Sequence, residues 1–292
     1  MKPFEDSTEL LNSAELLRER AERDGYLFFR RLVPRGDVSQ LRGAFVDILE
    51  RHGWLNEGAD AENLLSTQEA RVEGMTEYWP VFDEFQRMEA FHALAHSPPI
   101  LEMLRTLFGE EPLVHPRNIG RIMFPSSPAT PPHQDFVHIQ GTPDVWTAWI
   151  PLGDCPMELG GIAVLAGSHR GGVYPVRPMR GAGGVGVNEE AIDGEWRAGG
   201  FETGDAIFFH SQAVHKSLPN QTGERMRLSV DYRYQAASKP VTEGSLLPHF
   251  NRFSWDWVYE GWSSAELQYY WRKFDLTIAA FDRGAVRMEA SY

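Results

Sequence analysis

Residues 225–234 read Arg-Met-Arg-Leu-Ser-Val-Asp-Tyr-Arg-Tyr, and their alternation decides how the rest of the chain is read. A period of two belongs to an extended strand, in which neighbouring side chains point to opposite faces. Met226, Leu228, Val230, Tyr232 and Tyr234 make one apolar face, while Arg225, Arg227, Ser229, Asp231 and Arg233 make a polar one. The polar face must meet either solvent or a polar cavity, and Asp231 and Arg233 are close enough on it to pair. Working upstream to about Leu113, short β-rich runs at residues 120–124, 145–152, 162–165 and 206–209 are separated by Gly, Pro, Asn and Asp. That punctuation suits an antiparallel barrel or jelly roll, so the expected class is mainly β with flanking helices.

The flanks have a helical period. Ser13 is placed to cap a helix that stops at Asp24-Gly25, ahead of an apolar strand at 26–29. Leu41, Phe45, Ile48 and Leu49 share one face of a helix over 37–52, and further helices are expected over 81–95 and, after Pro98-Pro99, over 100–108. After Ser254 an aromatic-rich helix is expected, carrying Trp255, Trp257, Trp262, Tyr269, Tyr270 and Trp271; these aromatics are expected to pack on the barrel or close a pocket. No linker or repeat divides the chain. One domain over 1–292 is expected, with a helical part to about 112, a core over about 113–236 and a tail over about 237–292.

Composition narrows the function classes. The 292 residues are 42% hydrophobic, enough for a large core, and carry a formal charge of −13 with no Lys/Arg cluster. Nucleic acid and anionic membranes are therefore poor partners, which leaves a small-molecule substrate. Cys155 is the single cysteine, so no intrachain disulfide forms. The start lacks a basic region followed by an apolar run, and no apolar run is long enough to span a bilayer, so a cytoplasmic protein is expected.

Chemistry concentrates in Pro132-His133-Gln134-Asp135 and in His215-Lys216-Ser217-Leu218-Pro219-Asn220. A His and an Asp two residues apart on an extended segment project to the same side. With one more imidazole they occupy three corners of an octahedron, a set suited to Fe(II) that must bind a bidentate co-substrate and then O2. Arg227, with Ser229 on the same face, offers a guanidinium fork for a second carboxylate, which points to 2-oxoglutarate. Arg225 lies two residues earlier on that face, and spacing alone does not choose between them. His215 is preferred to His210 as the third ligand, because His210 ends the apolar run 207–209.

Five stretches resemble, in order, the phytanoyl-CoA dioxygenase family of non-haem iron oxygenases. They are PPHQD, WTAWIPLGD, GGIAVLAGSHRGG, GDAIFFHSQAVHKSLPNQ and RLSVDYRYQ, and the likeness runs from about Asp24 to Gln235. In tone they are similar to the family's bacterial small-molecule and natural-product hydroxylases. The resemblance implies a double-stranded β-helix, a cupin-like jelly roll. It implies Fe(II) held by His133, Asp135 and His215, and 2-oxoglutarate on the metal with its distal carboxylate at Arg227. Ser217 and Trp149 would line the co-substrate pocket. The implied reaction is hydroxylation of an unactivated C–H in a largely apolar metabolite, with release of succinate and CO2. A carboxylate at 135 argues against halogenation, while desaturation, epoxidation and cyclisation share the same opening step. A zinc hydrolase or a non-catalytic sensor on the same fold would be the readings from other classes.

His138, three residues past Asp135, is a candidate substrate contact or a loop histidine; Arg121 is a candidate substrate contact or half of an ion pair. His169 reads as a turn residue, and His115 has no distinguishing context. Gly181-Ala-Gly-Gly-Val-Gly186 fits Gly-x-Gly-x-x-Gly but follows Pro175 and Pro178 instead of a buried strand, so a loop or lid is expected there and not a nucleotide site.

Overall fold

A computed structural model describes residues 1–59, 62–125, 127–181 and 183–289. Its helical flank comprises α1 (Ala14–Asp24), α2 (Arg35–Arg51), α3 (Tyr78–Arg87), α4 (Glu89–Leu94) and α5 (Pro98–Phe108), with strand β1 (Tyr26–Phe29) between the first two. The core follows with β2 (Pro112–Val114), β3 (Ile119–Met123), a one-turn helix α6 (Phe136–Ile139), β4 (Val145–Pro151) and β5 (Ile162–Ala166). It continues through β6 (Val176–Pro178), β7 (Val185–Val187), β8 (Glu195–Ala198), β9 (Ala206–His210), β10 (His215–Ser217) and β11 (Arg227–Ala236). The larger sheet has the order β1-β9-β4-β11-β2, with β3 also on β11, and the smaller has the order β10-β5-β8. Every pairing in both is antiparallel.

Alternation along β11 places the two cores. Leu228, Val230, Tyr232 and Tyr234 join Phe45, Phe85 and Phe91 in an apolar layer between the larger sheet and the helices. The two tyrosine hydroxyls donate to the Phe91 and Ala95 carbonyls at 2.7 and 2.9 Å, so their burial leaves no polar atom unpaired. Phe45 and Phe85 stack with centroids 3.8 Å apart. Gly120 permits this approach, since a Cβ there would stand 3.2 to 3.4 Å from both rings. On the inner face, Trp149, Ile207 and Phe209 pack with Ile162 and Val164 of the smaller sheet. The polar face of β11 therefore looks into the barrel, and the alternative of a solvent-facing strand is excluded: Arg227, Ser229, Asp231 and Arg233 are all buried.

Ser13 caps α1 by accepting from the Leu16 N–H, and Gly25 ends it in the left-handed region at φ 69°. Three expectations are corrected. The helix expected over 81–95 is two helices, because Met88 is extended (ψ 116°) and turns the chain so that Phe91 enters the core beside Tyr232. The last β-run is shifted from 225–234 to Arg227–Ala236. The tail is not one helix: α7 (Trp255–Tyr259) ends before Gly261 at φ 87°, and the Glu89 carboxylate then accepts from Ser263 and Ser264. Its aromatics still do apolar work, with Trp255, Tyr259 and Trp271 packed on Leu113 and Val241. The glycine-rich stretch near 183 lies in the turn of the β6–β7 hairpin, away from any strand-to-helix phosphate site; Ala182 lies outside the described residues. Among the described residues no helix is long and apolar enough to cross a membrane.

Candidate metal centre and co-substrate pocket

His133 and His215 face each other across an antiparallel bridge, exchanging both backbone hydrogen bonds at 3.0 Å. His215 is also registered on Val164 of β5, so the pair is fixed from two sides. Asp135 sits at the start of α6, where the Phe136 N–H donates to the Ser211 carbonyl at 2.9 Å. Gln134, between them in sequence, points the other way. It donates to the Gly172 and Gln212 carbonyls and accepts from the Tyr174 N–H, which pins the segment. One ligand atom from each of His133, Asp135 and His215 lies within 4.8 Å of the others.

The tautomers are set by the backbone. Nδ1 of His133 meets the Pro131 carbonyl at 2.9 Å and Nδ1 of His215 meets the Ala213 carbonyl at 3.0 Å. A carbonyl only accepts, so both Nδ1 atoms carry the proton and both Nε2 atoms keep a lone pair. Burial and the neighbouring His215 push His133 down to about 3, and burial also lowers His215, so both rings stay neutral. Burial alone would raise the Asp135 carboxyl, but Arg233, the two imidazoles and the Thr147 hydroxyl override it and hold it well below the usual range. Thr147 donates to Oδ2 at 2.6 Å, and Arg233 reaches the two oxygens at 3.2 and 3.3 Å. Two neutral nitrogens and one oriented carboxylate are the donor set that a non-haem ferrous ion requires.

A narrow pocket leads from the three residues to Arg227. Arg227 Nη1 donates to Ser229 Oγ at 2.7 Å, and its guanidinium lies 5.3 Å from the Trp149 ring. Ser217 and Thr130 line the same pocket, with Ser217 Oγ accepting from the Thr130 N–H at 2.6 Å. Arg227 is buried, its Nε has no partner, and no carboxylate pairs with it among the described residues. The pocket thus ends on a desolvated cation that lacks its anion. Arg225 precedes β11 and does not line this pocket.

On the other side a cavity of about 230 Å³ opens from His133 and Asp135. Its walls include Arg117, Arg121 and Arg233 together with Glu73, His138 and His249. Arg121 is not an isolated cation, since its Nε pairs with Asp231 at 2.8 Å; it also lines both pockets. Because Asp231 is taken by Arg121 of β3 and Arg233 by Asp135 at the start of α6, the expected Asp231–Arg233 pair does not form. Burial lowers His138 to about 4, so it meets the cavity as a neutral ring. His210 stands apart from the three, its Nε2 3.6 Å from Asp144 and its ring against Trp146. His169 bonds the Glu22 carbonyl and His115 the Gln235 amide. Sequence reading missed Thr147, Arg117, Glu73 and His249, because none stands at a motif spacing and only the folded registers bring them to the site.

Residues 21–228 match the model of the phytanoyl-CoA dioxygenase (PhyH) family. The chain belongs to this family. Among its relatives, the 1-deoxypentalenic acid 11-beta-hydroxylase of Streptomyces arenae is 29% identical over 261 residues, covering 84% of this chain and 89% of the relative. The enzyme of the same name from Streptomyces exfoliatus is 28% identical over 265 residues, covering 85% and 90%. The epimerase SnoN, solved with Fe3+, alpha ketoglutarate and nogalamycin RO, superposes with a TM-score of 0.59 at 20% identity, over 93% of this chain and 97% of that one. The carbocyclase SnoK from nogalamycin biosynthesis gives 0.57 at 20% identity, over 86% and 95%. These likenesses place the fold in the double-stranded β-helix class. As a PhyH protein the chain is a non-haem iron, 2-oxoglutarate-dependent dioxygenase.

Proposed function

We propose that this PhyH enzyme hydroxylates an unactivated C–H bond of a small, largely apolar metabolite of the natural-product type. His133 and His215 would hold Fe(II) through their Nε2 atoms and Asp135 through its carboxylate. Arg227, with Ser229 beside it, would take the distal carboxylate of 2-oxoglutarate, in a pocket walled by Ser217 and Trp149. The observation that carries this reading is the unbalanced guanidinium of Arg227 at the end of a pocket that begins at three convergent metal-binding side chains. When bound, ferrous iron and 2-oxoglutarate supply the oxidising chemistry, in which dioxygen is consumed and succinate and CO2 are released.

The chain's own residues set the conditions for that chemistry. Carbonyl-bound Nδ1 atoms aim both imidazoles, and Thr147 and Arg233 keep Asp135 ionised and oriented. Trp149 and Phe209 shield the co-substrate side from water. The cavity of the other side presents substrate to the metal, with Arg121 and His138 in its wall. The helical part contributes Glu73, the core Arg121 and the tail Phe250 to that single cavity, which supports one catalytic domain over 1–292. The two hydroxylase relatives favour hydroxylation over the other outcomes of the same machinery.

The test is turnover of 1-deoxypentalenic acid and other alicyclic metabolites under labelled dioxygen, read by mass spectrometry. One labelled oxygen in the product per succinate formed is expected. Loss of two hydrogens without oxygen gain would replace hydroxylation by desaturation or ring closure, and absence of any substrate-stimulated succinate would remove the proposal.

A further inference from the structure

Among the described residues four arginines line the interior of the barrel, and their counter-charges differ. Arg121 pairs with Asp231 and Arg233 with Asp135, while Arg227 belongs to the co-substrate end. Arg117 has no carboxylate partner among the described residues, and its buried Nε has no hydrogen bond. It nevertheless lines the same cavity as His133 and Asp135. Glu73, the other carboxyl in that wall, acts on Arg121.

Position separates Arg117 from the co-substrate. It lies in the connection between β2 and β3, both of which pair with β11. Residues 117, 119, 121 and 123 alternate inward, whereas Asn118 points outward to bond His92 at 3.1 Å. At the far end of this row the Met123 sulfur contacts Arg227 at 3.2 Å. Arg117 and Arg227 therefore mark opposite ends of the interior, with the metal-binding residues opening to both. His249 lines the same cavity with a buried Nδ1 that has no partner among the described residues, in a turn whose Phe250 and Asn251 are both left-handed, at φ 62° and 51°. Ile119, Ile139 and Phe250 supply apolar wall.

Burial and the neighbouring Arg233 push Arg117 down only to about 10, so it remains charged at neutral pH. A half-buried guanidinium with a buried, unpaired Nε and no anion is unfavourable until a ligand provides one. A single guanidinium fork matches one carboxylate in geometry and charge, whereas a phosphate monoester brings nearly two negative charges. We propose that Arg117 anchors a carboxylate carried by the substrate, so that the substrate is a small organic acid whose apolar body lies over the metal. This rests on the oxygenase reading for the use of the site, although binding of the acid does not.

The experiment is anaerobic calorimetry of the full-length protein loaded with Fe(II) and 2-oxoglutarate. The probes are 1-adamantanecarboxylate, its primary amide and 1-adamantyl phosphate, titrated into wild type, Arg117→Gln and Arg117→Lys. The acid is expected to bind about 10- to 100-fold more tightly than the amide, as a charge-assisted hydrogen bond would give. Arg117→Gln should abolish that preference while leaving amide binding within about twofold, and Arg117→Lys should keep part of it. Equal binding of acid and amide, binding of neither, preference for the phosphate, or a preference that survives Arg117→Gln overturns the assignment. The visible band of the iron chelate, recorded on each sample before titration, reports separately on the oxygenase reading and on whether the variants fold.

Discussion

Replacing Thr147 by Val tests how Asp135, the carboxylate proposed to bind the metal, is held. Thr147 lies on β4 between Arg233 of β11 and Phe209 of β9, and its hydroxyl is the shortest of three donors to Asp135. Valine keeps the branched shape that suits a buried strand and removes only the hydroxyl. A hydrogen bond to a buried charge contributes about 1.5–3 kcal/mol. The part felt by the metal is what is lost when the carboxylate is free to rotate, which for partners of this kind weakens binding about 10- to 100-fold. Chelator-competition titration of metal-free protein with Co(II) reads this directly, and Thr147→Ser, which restores the hydroxyl, should recover most of the affinity. Wild-type affinity to within about twofold in a folded Val variant would refute the argument that Thr147 orients Asp135.

Three further outcomes follow from packing and burial. Gly25→Ala should destabilise the protein by about 1–2 kcal/mol for the left-handed backbone alone, and by more because the new Cβ would press on the His169 ring; an unchanged melting temperature would contradict this. His92 and His115 are buried and lowered to about 4, so the unfolded chain binds their protons near pH 6.5 and the native one only near 4. Stability is full above pH 6.5 and lost as pH falls toward 4, and His115→Gln should flatten that slope in a pH series of thermal melts. His210→Gln should leave metal affinity unchanged while His215→Gln abolishes it, and equal losses in the two would contradict the choice of ligand.

The barrel was legible because its strongest signal is local. A strand buried on one side by aromatic packing and on the other by a polar cavity must alternate, and β11 does so over its whole length. The spacing of His133 and Asp135 is equally local: the segment expected to be extended turns into α6 at Asp135, yet Gln134 between them points away to the Gly172 and Gln212 carbonyls and its two neighbours converge with His215. The failures have a different origin. Met88 breaks a helix that the apolar period would carry through: its extended backbone turns the chain, and Phe91 is buried in the core. The tail keeps its aromatics but not its helix, since Ser263 and Ser264 are drawn to the Glu89 carboxylate contributed by α4. Arg117, Thr147 and Glu73 acquire meaning only from strand register and from which counter-charges other residues have already taken.

The most direct test of the central claim is anaerobic titration of the metal-free protein with Fe(II) and 2-oxoglutarate, watching the visible metal-to-ligand charge-transfer band in wild type, His133→Ala and Arg227→Gln. A band is expected in wild type and none in His133→Ala. In Arg227→Gln the band should require about 10²-fold more 2-oxoglutarate, the loss expected when a buried charge-assisted fork is truncated. Stoichiometric iron binding without a band, or a band indifferent to Arg227→Gln, would contradict that claim.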